Sequence, residues 1–195
     1  MPDIDWDEFD EDIWAVLAAL VVEIIMAGIA GGVSLLPAKA TPFIDFDSLY
    51  AHVLEYVRTY RFEWIRGLTD FTRRQVVDII SNWIRSGSPL SALEQALIPI
   101  FGEARARRIA VTEVTRLFAR GNQMAWEATG FVNAVKWMTA EDEKVCIICQ
   151  ELDGTLIGIG DIDALPPAHV LCRCFVIPVV DDAAFSRRLD EILGL

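Results

Sequence analysis

Two short clusters of metal-binding side chains constrain this chain more than any other feature. Cys146 and Cys149 form a Cys-x2-Cys pair, and His169, Cys172 and Cys174 follow as His-x2-Cys-x-Cys. All four cysteines and one of the two histidines thus fall between residues 146 and 174 of a 195-residue chain. Thiolates and a neutral imidazole at short paired spacing are what a tetrahedral Zn²⁺ requires. Five candidate ligands stand for four places, so at least one belongs outside the metal's immediate shell. A structural site fills every place with protein, whereas a catalytic one keeps a place for water, and a thiolate-rich set suits the closed kind. Asp153, Asp161 and Asp163 could serve an open site, yet aspartates beside glycine are ordinary turn residues. The other use of four cysteines is two disulfides. The N-terminus shows no basic region and no small-residue cleavage site, so no export signal is expected, and in a reducing compartment paired cysteines more often bind metal.

The net charge of −12 is local. Residues 1–50 carry ten acids and one base, Lys39, and Asp3, Asp5, Asp7, Glu8, Asp10, Glu11 and Asp12 crowd the start. The remainder is nearly balanced, so a broad electrostatic footprint for nucleic acid is absent.

An apolar stretch follows the acidic run. Ile13, Leu17, Leu20 and Ile24 recur in the rhythm of a helix-pairing seam. That helix either packs into the chain's own core or docks on another chain. A membrane span is disfavoured, because Glu23 near its centre would cost ~3 kcal/mol and no Lys or Arg flanks it. Gly31, Gly32, Pro37 and Pro42 read as a break and linker. Helices are expected over 47–66 and from Thr69 to Gly87, the latter burying Phe71, Val76, Ile80 and Trp83, and over 90–97 before Pro99. A longer helix is expected over 103–128. Arg105, Arg108, Thr112, Arg116 and Arg120 lie on it at steps of three and four, as one basic stripe. The stripe is either a solvated face, with Glu113 neutralising Arg116, or a surface for phosphates or an acidic partner. After Gly130 come strand patterns over 131–138, 155–159 and 172–180, then a terminal helix over 183–195.

The fold class is therefore α+β, predominantly α-helical: N-terminal helices, then a small C-terminal β-containing domain stapled by the Cys/His site. Residues 1–42 form an acidic N-terminus, apolar docking helix and linker, residues 43–102 a helical region, and residues 103–195 the domain with the cluster.

Three segments, "RARRIAVTEVTRLFARGN", "KWMTAEDEKVCIICQELDG" and "PPAHVLCRC", occur in that order. Together they resemble the phage head morphogenesis family typified by the F protein of phage Mu. The matching positions are Arg107 or Arg108, Ile109, Ala110, Thr112 and Glu113; Trp137, Thr139, Asp142, Cys146 and Cys149; Leu152, Asp153 and Gly154; and Pro167, His169, Cys172, Arg173 and Cys174. The likeness runs from about Ala104 to Pro178. Val111 stands where the family usually has arginine, and Val170 where it usually has proline. The resemblance implies a structural, non-enzymatic minor head protein of a tailed phage or prophage, acting in head morphogenesis, DNA packaging or ejection. Its implied partners are the portal and the major capsid protein, with homo-oligomers and contact with packaged DNA as further expectations. Its implied place is the virion, at the portal vertex or capsid interior, with the host cytoplasm as its place during assembly. Alternatives are a metal-dependent nuclease using His169 and the loop aspartates, and a DNA-binding module using the arginine stripe.

Overall fold

The computed structural model describes residues 11–60 and 69–194, the side chains of 11–17, 70 and 73 excepted. The first apolar stretch forms α1 (Glu11–Ser34), and Leu20, Val21, Ile24, Ile25 and Ile29 are buried along it. Their burial corrects the docking expectation for Leu20 and Ile24, whose seam faces the chain's own core. The side chains of Ile13 and Leu17 lie outside the described residues. Among the described residues no helix is long and apolar enough to cross a membrane.

The expected break at Gly31 and Gly32 does not occur, and α1 runs through both. The glycines of α1 serve a close helix crossing instead. A Cβ added at Gly28 would lie 3.0 Å from Phe118 Cα, and one at Gly32 3.0 Å from Asn122 Cα. Backbones in such proximity gain contacts that offset the poor helix propensity of glycine.

Next come α2 (Phe46–Thr59), whose Asp45 cap accepts from the N–H groups of Asp47 and Ser48, and α3 (Asp70–Ser86). The α2 pattern was expected to reach residue 66, but Tyr60 already leaves the helix, and residues 61–68 lie outside the described set. Val76 and Ile80 of α3 are buried, while Phe71, expected beside them, is 71% exposed. α4 (Leu90–Phe101) runs past its expected end, with Pro99 in its last turn.

The long helix expected over 103–128 is present, but with a phase change. α5 (Glu103–Arg108) passes into a π turn (Ile109–Glu113) and then α6 (Val114–Thr129), which ends at Gly130 in the left-handed region. Widening one turn rotates every side chain before it relative to those after it. Arg105 and Arg108 therefore lose alignment with Arg116 and Arg120.

The C-terminal part is a three-stranded antiparallel sheet with β1 (Val132–Met138) central between β2 (Leu156–Gly158) and β3 (Phe175–Val180). Val135 lies opposite Ile157, and Trp137 opposite Val176, which places four buried side chains against Trp126 of α6. Pro178 sits on β3, which bonds to β1 alone, a position that tolerates a missing N–H. β3 begins later than residue 172, because Cys172 and Cys174 belong to the turn that feeds the cluster. A short helix, α7 (Ile147–Leu152), bridges β1 and β2, and α8 (Asp182–Leu193) closes the chain.

Two buried cores result, one among α1–α4, the π turn and α6, the other between the sheet, α6 and Phe43. The Trp126 indole N–H donates to the Gly32 carbonyl at 2.8 Å and ties α1 to α6 where the cores meet.

Candidate metal centre

The first half of the centre is the start of α7. Cys146 occupies the position before the helix and Cys149 lies one turn in, so a spacing of three brings both sulfurs to one side. Backbone N–H groups of Cys149 and Ile148 favour the Cys146 thiolate, as does nearby His169, and its thiol is held below the ordinary cysteine range. Burial acts oppositely on Cys149 and Cys174, pushing both thiols upward. A cation bound beside them would favour their thiolate forms.

The second half is a tight turn. The Cys172 N–H donates to the His169 carbonyl at 3.1 Å, with Leu171 left-handed at φ +65 between them. His169 Nδ1 donates to the Val170 carbonyl at 2.8 Å, a bond that leaves a lone pair on Nε2. Nε2 lies 3.1 Å from both Cys146 Sγ and Cys149 Sγ.

Cys149 Sγ and Cys172 Sγ stand 3.8 Å apart. Two sulfurs each ~2.3 Å from a tetrahedral zinc would be ~3.8 Å apart, whereas a disulfide would hold them at ~2.05 Å. The four cysteines are free thiols. The candidates form two overlapping triads, Cys146–Cys149–His169 and Cys149–Cys172–Cys174, which share Cys149. A void of about 20 Å³ is walled by all five, enough for one ion or water. Donor chemistry, the Cys149–Cys172 spacing and the void fit a bound metal. The 3.1 Å approaches of Nε2 to Cys146 and Cys149 would open to ~3.6 Å around a tetrahedral zinc.

A salt bridge fastens the two halves. Arg173, between Cys172 and Cys174, makes paired bonds of 2.6 Å to the Asp142 carboxylate, just before the first knuckle. Asp142 also accepts the Lys144 N–H at 3.0 Å. The guanidinium holds the Asp142 carboxyl below its usual range, and the carboxylate raises Arg173 in turn.

The other predicted residues fare differently. Thr112 is buried at 4% exposure, and its hydroxyl accepts the Leu171 N–H at 2.9 Å. Arg105 stacks over the Phe101 ring, Arg108 is exposed, and Arg116 pairs with Glu113 at 2.7 Å. Arg120 is half-buried over the Tyr56 ring and bonded to Gln123. The five positions therefore do not make one basic stripe, because the π turn separates them and turns Thr112 inward. Asp153 accepts the Thr139 N–H at 2.8 Å, and Asp161 and Asp163 are exposed.

Sequence reasoning missed the contact of Thr112 with the His169 loop, 59 residues away, and the Tyr60 hydroxyl donating to Glu113 at 2.8 Å. The signals available for Thr112 were its place inside the apolar run "IAVTEV" and its match to the family's helix motif.

A family model described as Phage Mu protein F like protein matches residues 74–177, more than half of the chain. That span reaches from α3 into β3 and contains every candidate ligand. The chain is also similar to a Bacillus subtilis (strain 168) protein named "Uncharacterized protein YqbB", 25% identical over 178 residues, covering 79% of this chain and 54% of that protein. It thus spans about half the length of the curated relative it matches. No solved structure matches.

Proposed function

This chain belongs to the Phage Mu protein F like family, and on that premise we propose that it is a structural minor head protein of a tailed phage or prophage. Its work is mechanical, in head morphogenesis, DNA packaging or ejection, at the portal vertex or capsid interior of the virion. Assembly takes place in the host cytoplasm. Its partners on this reading are the portal and major capsid proteins.

The observation that carries the structural, non-enzymatic reading is the donor set. Five protein donors wall one ion-sized void as two triads that share Cys149, a thiolate-rich set of the kind that structural zinc sites use. A zinc held so closely joins the Cys146 knuckle to the His169–Cys174 turn, and its binding energy becomes folding energy. Of the loop aspartates that the nuclease alternative would use, Asp153 is bonded to the Thr139 N–H, and of the arginines that the DNA-binding alternative would use, Arg116 is paired with Glu113.

Expression with the neighbouring portal and major capsid proteins, followed by affinity capture of each, tests the reading. Association with either at fixed stoichiometry is the expected result. Capture of neither, with cleavage of linear DNA by the purified protein, would replace this reading by the nuclease.

A further inference from the structure

We propose that Thr112 is a positioning residue for the metal, acting on His169 through a single peptide plane. The inference rests on the metal reading above and goes beyond it by assigning a role to the π turn.

The plane joins Val170 to Leu171. The Val170 carbonyl accepts from His169 Nδ1 at 2.8 Å, and the Leu171 N–H donates to Thr112 Oγ1 at 2.9 Å. Both polar ends of one peptide are therefore pinned, one by the ligand's ring and the other by the long helix. Leu171 is the third residue of the His169–Cys172 turn and has φ +65. A positive φ at that position is what a type II turn demands, and glycine is its usual occupant. Leucine is disfavoured there because its Cβ crowds the backbone. The turn would relax by rotating the 170–171 peptide to the type I form, which needs no positive φ. That rotation would carry the Val170 carbonyl away from Nδ1, freeing the imidazole ring and its tautomer.

Thr112 opposes the rotation. Its hydroxyl supplies the acceptor that Leu171 N–H would lose on turning, at a site where the threonine is 4% exposed. Leu171 itself is 37% exposed, so the buried partner is the Thr112 hydroxyl. Rotation would strip that buried oxygen of this bond, which is costly, and so one hydroxyl holds the turn in its strained form. The π turn explains how a residue of the long helix comes to face the loop. Thr112 lies inside the widened turn Ile109–Glu113, where Ile109, Ala110 and Val111 are buried beside it.

The test compares wild type with Thr112→Val, Thr112→Ser and Thr112→Val/Leu171→Gly in the full chain. Zn²⁺ affinity is read by chelator competition, Co²⁺ coordination by absorption, and the His169 ring nitrogens by NMR. Valine keeps the shape of threonine and removes the acceptor, and zinc affinity is expected to fall about tenfold or more, as for other groups that orient a metal ligand. Thr112→Ser retains wild-type affinity. Glycine at 171 removes the penalty on positive φ, so the double variant recovers part of the loss, which a merely structural role for the hydroxyl would not produce.

Wild-type affinity and cobalt spectrum in Thr112→Val would overturn the proposal. So would a loss of affinity that Leu171→Gly leaves untouched. In metal-free protein, wild type should show the Nδ1–H tautomer and Thr112→Val a mixture. That shift, in a wild type that takes up neither ion, would overturn the metal reading and leave the peptide lever standing.

Discussion

Gly121→Ala puts the α1–α6 crossing to the sharpest test. In an exposed helix interior this change stabilises by about 1 kcal/mol, because glycine is the poorer helix former. At residue 121 the new methyl would lie 2.9 Å from Ile29 N, 3.0 Å from Gly28 Cα, and closer still to the Ile25 carbonyl oxygen. Each of these is backbone and cannot swing aside. Restoring ordinary contact parts the helices by about 1 Å, and a gap of that size forfeits a quarter to a half of each dispersion contact it opens. Overpacking of this kind costs about 1–3 kcal/mol, and the rigid backbone places this case at the upper end. Against the propensity gain, the net expectation is about 2 kcal/mol of destabilisation. For a chain of this length that lowers Tm by about 4–8 °C. Gly31→Ala is the internal control. Its methyl would meet Phe118 Cζ at 2.8 Å, the far end of a side chain that is 38% exposed and free to move. Thermal melts of the two variants should therefore diverge in sign or nearly so. A Gly121→Ala protein as stable as wild type would refute the close crossing, and with it the reason given for the glycines in α1.

Three further outcomes are expected. Chelation of zinc, or Cys146→Ser with Cys149→Ser, should lower the melting temperature by more than 10 °C if, as for other structural zinc sites, metal-binding energy is folding energy; unchanged melts at full metal loss would exclude a stapling role. In metal-free protein, burial raises the folded pKa of Cys149 and Cys174. Their contribution is fully present below the unfolded value of about 8.5 and is lost as pH rises through the folded values, so stability should decline above about pH 8.5 in wild type and less steeply in Cys174→Ala. Asp142 shifts the other way; its contribution is present above the unfolded value of about 3.9 and is lost as pH falls through the depressed folded value, an acid limb that Asp142→Asn should flatten in pH-dependent melts.

The cluster was legible because ligand chemistry restricts it to Cys and His at short spacings, and the observed triads contain the five residues that the spacing names. Helix positions were equally legible where periodicity and caps agree, as in α3 between Thr69 and Gly87. Phe71 fails the same pattern, because periodicity shows which residues share a face and not where neighbouring helices end. The arginine stripe fails for a backbone reason. Steps of three and four assume 3.6 residues in every turn, and one π turn breaks that assumption with no residue type to announce it.

By itself, then, the sequence determined the family, the membership of the Cys/His cluster and the helical character of the first two thirds, since each depends on residue type at short range. Tertiary structure alone decided that the apolar seam of Leu20 and Ile24 is covered from within, and that Gly32 is a contact point rather than a break. It also decided that Thr112 faces the His169 loop. Those outcomes depend on the approach of segments many tens of residues apart, and local spacing carries no information about which partner a face will meet.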